Sequence, residues 1–305
     1  MHSPDGDLDT VRGGASGSRR TMRGMSFIGS EALRSGSITR GQLRWKYTAI
    51  HPDVYIEKGT ERTLEVDTQA ATLWVTDGIV TGRAAAALHG VPWIGRTSIE
   101  LIGRSRRARD GVIVRDERID ADEITRVRDF AVSTPPRTAL DLARHLNRVE
   151  AVAHLDGLAA ATGVEAKDVL SLARRYPGAR GVRKARSIAP LLDAGAQSPR
   201  ESWLRMLVID AGFPRPTTQI RVSDGYLTAF VDMGWEELRI GVEYDGDQHR
   251  YDRSQFVKDI GRLEMLAQCD WLVIRVVSEH SRAFILRRIH EAFRRRGGLA
   301  LAKSA

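Results

Sequence analysis

Residues 230–249 read FVDMGWEELRIGVEYDGDQH. Two apolar runs flank a short polar turn at Trp235–Glu237, so the stretch reads as an antiparallel strand pair. Asp232 closes the first strand of the pair. Glu243 and Asp245 close the second, and residues i and i+2 of a strand share one face. Asp247 and His249 follow at once. Like charges this close repel unless something positive sits among them.

The flanking segments supply the frame. SPRESWLRMLVIDAGFPRP is a helix with marked ends: Ser198 caps it, Pro199 takes the first turn, and Glu201 completes a capping box. Gly212 and Pro214 stop it. TTQIRV and LTAFVDMGW flank SDGY, whose Asp224-Gly225 pair signals a hairpin. ELRIGVEYDG is a third, central strand. DRSQFVKDIGRLEMLAQ is an amphipathic helix with Phe256, Ile260, Leu263 and Ala267 inward. WLVIRVV is a buried strand, and SRAFILRRIHEAFRRR a closing helix with Ile285, Ile289 and Phe293 on one side. The order over 198–296 is α-β-β-β-α-β-α, a meander followed by a crossover helix and a further strand.

The remaining chain divides by texture. Residues 1–25 read as a disordered leader without the apolar core of a signal peptide. Residues 26–60 have the outline of a winged helix: short helices, with Ser37 and Thr39 as caps for the one carrying Leu43, then a strand with Val54 and Ile56 on one face. Residues 61–192 are a mixed α/β region. It is expected to hold two helical pieces joined at Asp77-Gly78, and a strand pair around a basic loop with Arg104, Arg106, Arg107 and Arg109. A helix follows Pro136 with Leu140, Ala143 and Leu146 at helical spacing. Residues 193–197 look like a boundary, and 297–305 are a tail. The expected fold class is α/β (α+β).

The chain has 305 residues, a formal net charge of +8 and a pI near 10, a balance that favours polyanions, nucleic acid first. High-GC coding would produce the same excess of Arg. One cysteine, Cys269, excludes an internal disulfide framework and a multi-Cys zinc site, and no apolar run approaches the ~20 residues of a membrane span, so a cytoplasmic location is expected. Among motifs, no Gly-rich phosphate loop appears, so no nucleotide cofactor is expected. No Ser-His-Asp arrangement is evident.

The chemistry that uses converging carboxylates is phosphodiester hydrolysis, where a hard cation neutralises the reacting oxygens and lowers the pKa of water. Mg²⁺ is held by one or two carboxylates with waters and phosphate oxygens. The stretch 230–249, with SPRESWLR before it and FVKDIGRLEML and WLVIRV after it, resembles the restriction-endonuclease-like PD-(D/E)XK superfamily, in the branch related to very-short-patch-repair endonucleases. The resemblance implies Mg²⁺ or Mn²⁺ on Asp232 and Glu243, with Glu201 as a supporting acid. Asp245 stands where most members carry a catalytic Lys. His249 becomes a second polar group near the metal. Arg262, Lys258 or His249 is left to supply the missing positive charge. Separately, SGSITRGQLR, VYIEKG, AAAALHGVPW and STPPRTALDLAR resemble proteins with an AbiEi-type antitoxin N-terminal domain, which carry a winged helix and a following DNA-associated domain.

Each residue also has a plainer explanation. Glu201 is sufficient as a cap, Asp245-Gly246 as a turn, His249 and the Arg104–Arg109 loop as solvated surface. His89 and His154 fit packing roles, and Trp203 and Trp271 core roles. Asp232 and Glu243 resist this reading, because an acid within an apolar strand is costly unless paired or bound. The expected function is a metal-dependent DNA endonuclease with an N-terminal DNA-binding region. Its alternative is an antitoxin-like DNA-binding regulator with a degenerate nuclease domain. DNA is the expected partner, a membrane is not, and a homodimer is a permitted state.

Overall fold

A computed structural model of the chain describes residues 25–104, 109–246 and 253–297, the first six residues of the last stretch by backbone alone. Helices and sheets are mixed throughout, in three layers of sheet along the chain. The α/β expectation holds.

The first sheet has three short strands, with two short helices. Strand β1 (Phe27–Ile28) leads into helices α1 (Gly29–Arg34) and α2 (Arg40–Lys46), then strands β2 (Tyr47–His51) and β3 (Val54–Glu57), in antiparallel order β1-β3-β2. Thr39 caps α2 in a full capping box with Gln42. Val54 and Ile56 are buried, as their alternation requires. Phe27, Ala32 and Ile38 form the small core. Helix α2 buries none of its residues, so Arg40, Arg44, Trp45 and Lys46 all face outward.

Helix α3 (Leu64–Trp74) bridges to a five-stranded mixed sheet of order β6-β5-β4-β8-β7. Its strands are β4 (Ile79–Thr81), β5 (Ile99–Ile102), β6 (Val112–Arg115), β7 (Ile124–Val127) and β8 (Phe130–Ser133). The two helical pieces expected to meet at Asp77-Gly78 are therefore separated by strand β4, after which α4 (Gly82–Leu88) begins. Three residues of Ile-Val-Thr are too short to show a period. Burial between two strands decides their state. Gly82, at φ +61°, lets the start of α4 press on the buried Glu100 carboxylate, where a Cβ would lie 2.6 Å from Cδ.

Helices α3 and α4 pack on this sheet, and α5 (Pro135–His145) joins it to a helical layer with α6 (Arg148–Thr162), α7 (Ala166–Arg175) and α8 (Val182–Ile188). The helix expected to run on from Pro136 breaks at Asn147, which caps α6 by accepting from the Glu150 N–H at 3.0 Å. Leu140, Ala143 and Leu146 are buried in the shared core of this layer.

Residues 198–296 fold as α9 (Pro199–Asp210), β9 (Thr217–Ser223), β10 (Thr228–Trp235), β11 (Ile240–Tyr244), α10 (Arg253–Gln268), β12 (Leu272–Val276) and α11 (Arg282–Arg295). The sheet order is β12-β11-β10-β9, with β12 parallel to β11 through the α10 crossover and the other pairs antiparallel. Gly234 is required where β10 and β11 meet, since a Cβ there would lie 2.2 Å from the Ile240 carbonyl oxygen. Leu204, Val208, Ile285, Ile289 and Phe293 pack on one core of the sheet, and Met265 and Leu266 of α10 on another. The inward face of α10 thus differs from expectation: Ile260 is exposed and Ala267 also faces out. Met265 and Leu266 meet Ile220, Val222 and Val231, which turns Arg262 toward the polar strand end.

Residues 193–197 are tightly tied on both sides. The Asp193 N–H donates to Asp156 Oδ1 at 2.8 Å, and Thr218 Oγ1 donates to Asp193 Oδ1 at 2.7 Å. Helix α9 crosses α6, where Arg205 Nη2 donates to Asp156 Oδ2 at 2.8 Å with both side chains fully buried. Ser202 Oγ donates to the same oxygen at 2.6 Å. Met206 joins the core of the α5–α8 layer while Leu204 and Val208 join that of the last sheet.

Candidate functional site

The carboxylates singled out in the sequence gather where the end of β11 lies beside the middle of β10: Asp232 stands inside β10, which runs on to Trp235, rather than closing it as expected. Asp232 Oδ2 accepts from the Tyr244 N–H at 2.8 Å, which ties it across to β11. Glu243 is buried, and Arg262 of α10 donates from both Nη atoms to its two oxygens, at 2.7 Å each. Asp245, just past the strand, receives Arg275 Nη2 at 2.6 Å, while its N–H holds the Val276 carbonyl at 2.7 Å. Glu201 accepts from the Gln197 N–H at 2.8 Å, and its own N–H donates to Ser198 Oγ at 3.2 Å. The capping box is therefore displaced by one residue: the Glu201 side chain reaches the residue before the cap. Asp224 is a turn residue, accepting from the Tyr226 and Leu227 N–H groups.

The electrostatics of this cluster run in one direction. Burial raises the Asp232 carboxyl, opposed by the Tyr244 N–H and the Arg262 charge. Burial raises Glu201 as well, opposed by the Gln197 N–H and reinforced by the Asp232 charge. Glu243 is pushed up to about 7, first by burial, with Arg262 pulling down and Asp232 pushing up. The three acids are close enough to feel one another and short of positive charge.

A divalent cation needs oxygens converging at about 2.0–2.1 Å for Mg²⁺. Among the described residues, two groups bring three ligand atoms within 4.8 Å of one another: Glu117–Asp141–His145 and Asp120–Asp122–Glu123. Glu201, Asp232, Glu243 and Asp245 supply no such group, and both oxygens of Glu243 are engaged by Arg262. In this arrangement Glu243 offers a cation no oxygen that Arg262 does not already bond. His249, Arg106, Arg107 and the side chain of Lys258 lie outside the described residues. Arg104 and Arg109 lie on either side of the undescribed part of the β5–β6 loop, remote in sequence from the acids.

A second concentration of charge, not foreseen in the sequence reading, lies under α5. Arg137, 1% exposed, donates to Asp141 Oδ2 at 3.0 Å, Glu123 Oε2 at 2.6 Å and the Arg118 carbonyl at 2.9 Å. Arg144 donates to Glu117 at 2.7 Å, Asp141 at 3.0 Å and the Arg180 carbonyl at 2.8 Å. Arg175 and the Tyr176 hydroxyl both donate to Glu123 Oε1. Burial alone would raise the Glu117 carboxyl; the His145 ring 3.3 Å away and the Arg144 hydrogen bond overcome it and hold it at about 2. Tyr176 is pushed up to about 12, by burial and by its bond to Glu123. The signal was present in STPPRTALDLAR: Arg137, Asp141 and Arg144 recur at helical spacing beside the apolar positions, so the charges share the buried side of α5. His89 and His154 are packing residues: His89 Nε2 meets the Ser133 carbonyl at 2.8 Å, and burial lowers His154 to about 4.

The chain shows likeness to known proteins over its middle and beyond. Uncharacterized proteins from two strains of Mycobacterium tuberculosis are each 28% identical to it over 200 residues, covering 65% of this chain and 73% of theirs. No helix among the described residues is long and apolar enough to cross a membrane. Residues 79–194, from β4 to the end of the α5–α8 layer, match the family model described as the AbiEi antitoxin C-terminal domain, so the five-stranded sheet and its helices are the antitoxin-like part of the chain.

Proposed function

We propose that the chain is an antitoxin-like DNA-binding regulator whose C-terminal sheet has nuclease-like carboxylates with an arginine already bound to both oxygens of Glu243. The observation that carries this reading is the Arg262 clamp on both oxygens of Glu243. An arginine supplies the compensating charge that a metal would otherwise provide. The antitoxin-like match over 79–194 points the same way. DNA contact is supported by the winged outline, with Arg40, Arg44, Trp45 and Lys46 displayed on α2, and by the net charge of +8.

Metal-dependent cleavage is the second reading, favoured by one feature. Glu201, Asp232 and Glu243 are all raised by burial, and the Asp232 charge adds to the shift of both glutamates. One experiment separates the two. The full chain is incubated with supercoiled, mismatched and single-stranded DNA in Mg²⁺ or Mn²⁺, beside Asp232→Ala and an Arg44→Ala/Trp45→Ala variant. The regulator reading expects binding that falls steeply with salt, is weakened by the α2 variant and is unaccompanied by nicking. Nicking that disappears in Asp232→Ala would establish the enzyme instead.

A further inference from the structure

Beside the ionic network of α5 lies a cavity of about 510 Å³, within the size range of small-molecule sites. Five arginines line it, Arg118, Arg137, Arg144, Arg175 and Arg180, against two acids, Asp116 and Glu117. A second cavity of about 630 Å³ shares Glu117, Arg144 and Arg180 with the first and adds Arg115, His145 and Lys184. The two adjoin across these shared side chains and make a basic recess on the antitoxin-like part.

The recess keeps donors in reserve. Arg144 is nine-tenths or more buried, and its Nε and Nη1 hold protein oxygens, while Nη2 carries no hydrogen bond among the described residues. Arg137, more deeply buried still, uses Nε and Nη1, and its Nη2 has only the Glu117 carboxylate at 3.8 Å. Arg180 is exposed and its guanidinium meets no carboxylate among the described residues. Lys184 gives one hydrogen to the Leu146 carbonyl at 2.7 Å and keeps two. Glu123 and Asp141 are buried behind Arg137, while the more exposed Asp120 and Asp122 pair with Arg118 and Arg175. Two acids line the recess among these donors: Asp116 is exposed, and the Glu117 carboxylate lies 2.7 Å from Arg144, 3.3 Å from His145 Nε2 and 3.8 Å from Arg137. It occupies the point where guanidinium groups converge, the position an incoming oxyanion would take.

We propose that this recess binds a small phosphate-bearing anion, of nucleotide size or less, through Arg144, Arg180 and Lys184, with Glu117 as its built-in competitor. Phosphate is favoured over a carboxylate because it offers three acceptor oxygens to donors arriving from several sides. The site is independent of the winged helix and of the Glu243 cluster, so it does not rest on the regulator reading.

The test is calorimetric titration of the full chain with inorganic phosphate, pyrophosphate and adenosine monophosphate at ionic strength matched with chloride. An Arg180→Ala/Lys184→Ala variant removes the two outer cations, and its unliganded melting temperature reports whether the fold is intact. The expected result is saturable binding of at least one anion, weakened about tenfold per cation removed. Glu117→Gln is expected to bind it about tenfold more tightly. No saturable heat from any of the three anions overturns the proposal. Undiminished binding by the folded double variant overturns the assigned site. Weakened binding of duplex DNA in the double variant, with no binding of free anions, overturns the small-ligand assignment and makes the recess a contact for backbone phosphate.

Discussion

Two regions of this molecule bury carboxylates beside arginines, with opposite electrostatic outcomes. Under α5, Glu117 is held at about 2 because the nearby His145 ring and the Arg144 hydrogen bond outweigh burial. Where the end of β11 meets the middle of β10, Glu201, Asp232 and Glu243 are all raised, and Glu243 reaches about 7. The difference lies in stoichiometry. Arg137, Arg144 and Arg175 interleave with the acids of the first region, whereas Arg262 is the one guanidinium donating to the trio of the second among the described residues. Proximity of opposite charges is therefore a poor guide to stability. What matters is whether donors match the carboxylate oxygens that burial has stripped of water.

The largest test of this comparison is Arg137→Ala. It leaves Glu123 and Asp141 buried with one partner fewer, and a loss of about 3–5 kcal/mol in chemical denaturation is expected. A loss below about 1 kcal/mol would break the claim that the network is matched. Next comes pH. Glu117 ionises near 2 when folded and near 4.5 otherwise, so its contribution is complete above about 4.5 and is lost as pH falls toward 2. Glu117→Gln should cost about 2 kcal/mol at pH 7 and much less at pH 3, measured by urea unfolding at both values.

Glu243 should do the reverse. Its folded value lies above its ordinary 4.5, so the native state holds more protons between 4.5 and 7 and stability falls as pH rises through that window. Glu243→Gln should flatten this limb, and an unchanged slope would remove Glu243 as its source. A smaller effect is expected for Asp232→Asn. The amide oxygen can still accept from the Tyr244 N–H while the buried charge disappears, so stability at pH 8 should rise by ~1 kcal/mol. A lower melting temperature would mean that the cluster is better compensated than its shifts indicate. Trp45→Ala should alter stability least, within ~0.5 kcal/mol, because the side chain is 75% exposed, yet weaken DNA binding in an anisotropy titration.

Much of the frame was legible. Ser198, Asp224-Gly225 and the alternation of Val54 and Ile56 are local signals, and each acts where it stands in the chain. Strand β4 was not legible, because three residues between two helices carry no period of their own. Nor was the inward face of α10, where Ile260 and Leu263 compete with Met265 and Leu266 and only contact with Ile220 and Val222 decides. The acids at 232 and 243 were recognisable as unusual. Arg262, 19 residues from Glu243, was one of three candidates for the compensating charge and only contact singled it out, while Arg275, 30 residues from Asp245, was not foreseen.

The sequence by itself determined the local elements, the basic balance and the presence of acids in apolar strands. These follow from side-chain period, capping chemistry and turn residues, which act over a few positions. The tertiary structure alone decided what neutralises each acid. It set Arg262 on Glu243, gathered Arg137, Arg144 and Glu117 around a basic recess, and locked α9 to α6 through Arg205 and Asp156. Charge pairing acts through space and depends on burial, and neither quantity is written in the order of residues along the chain.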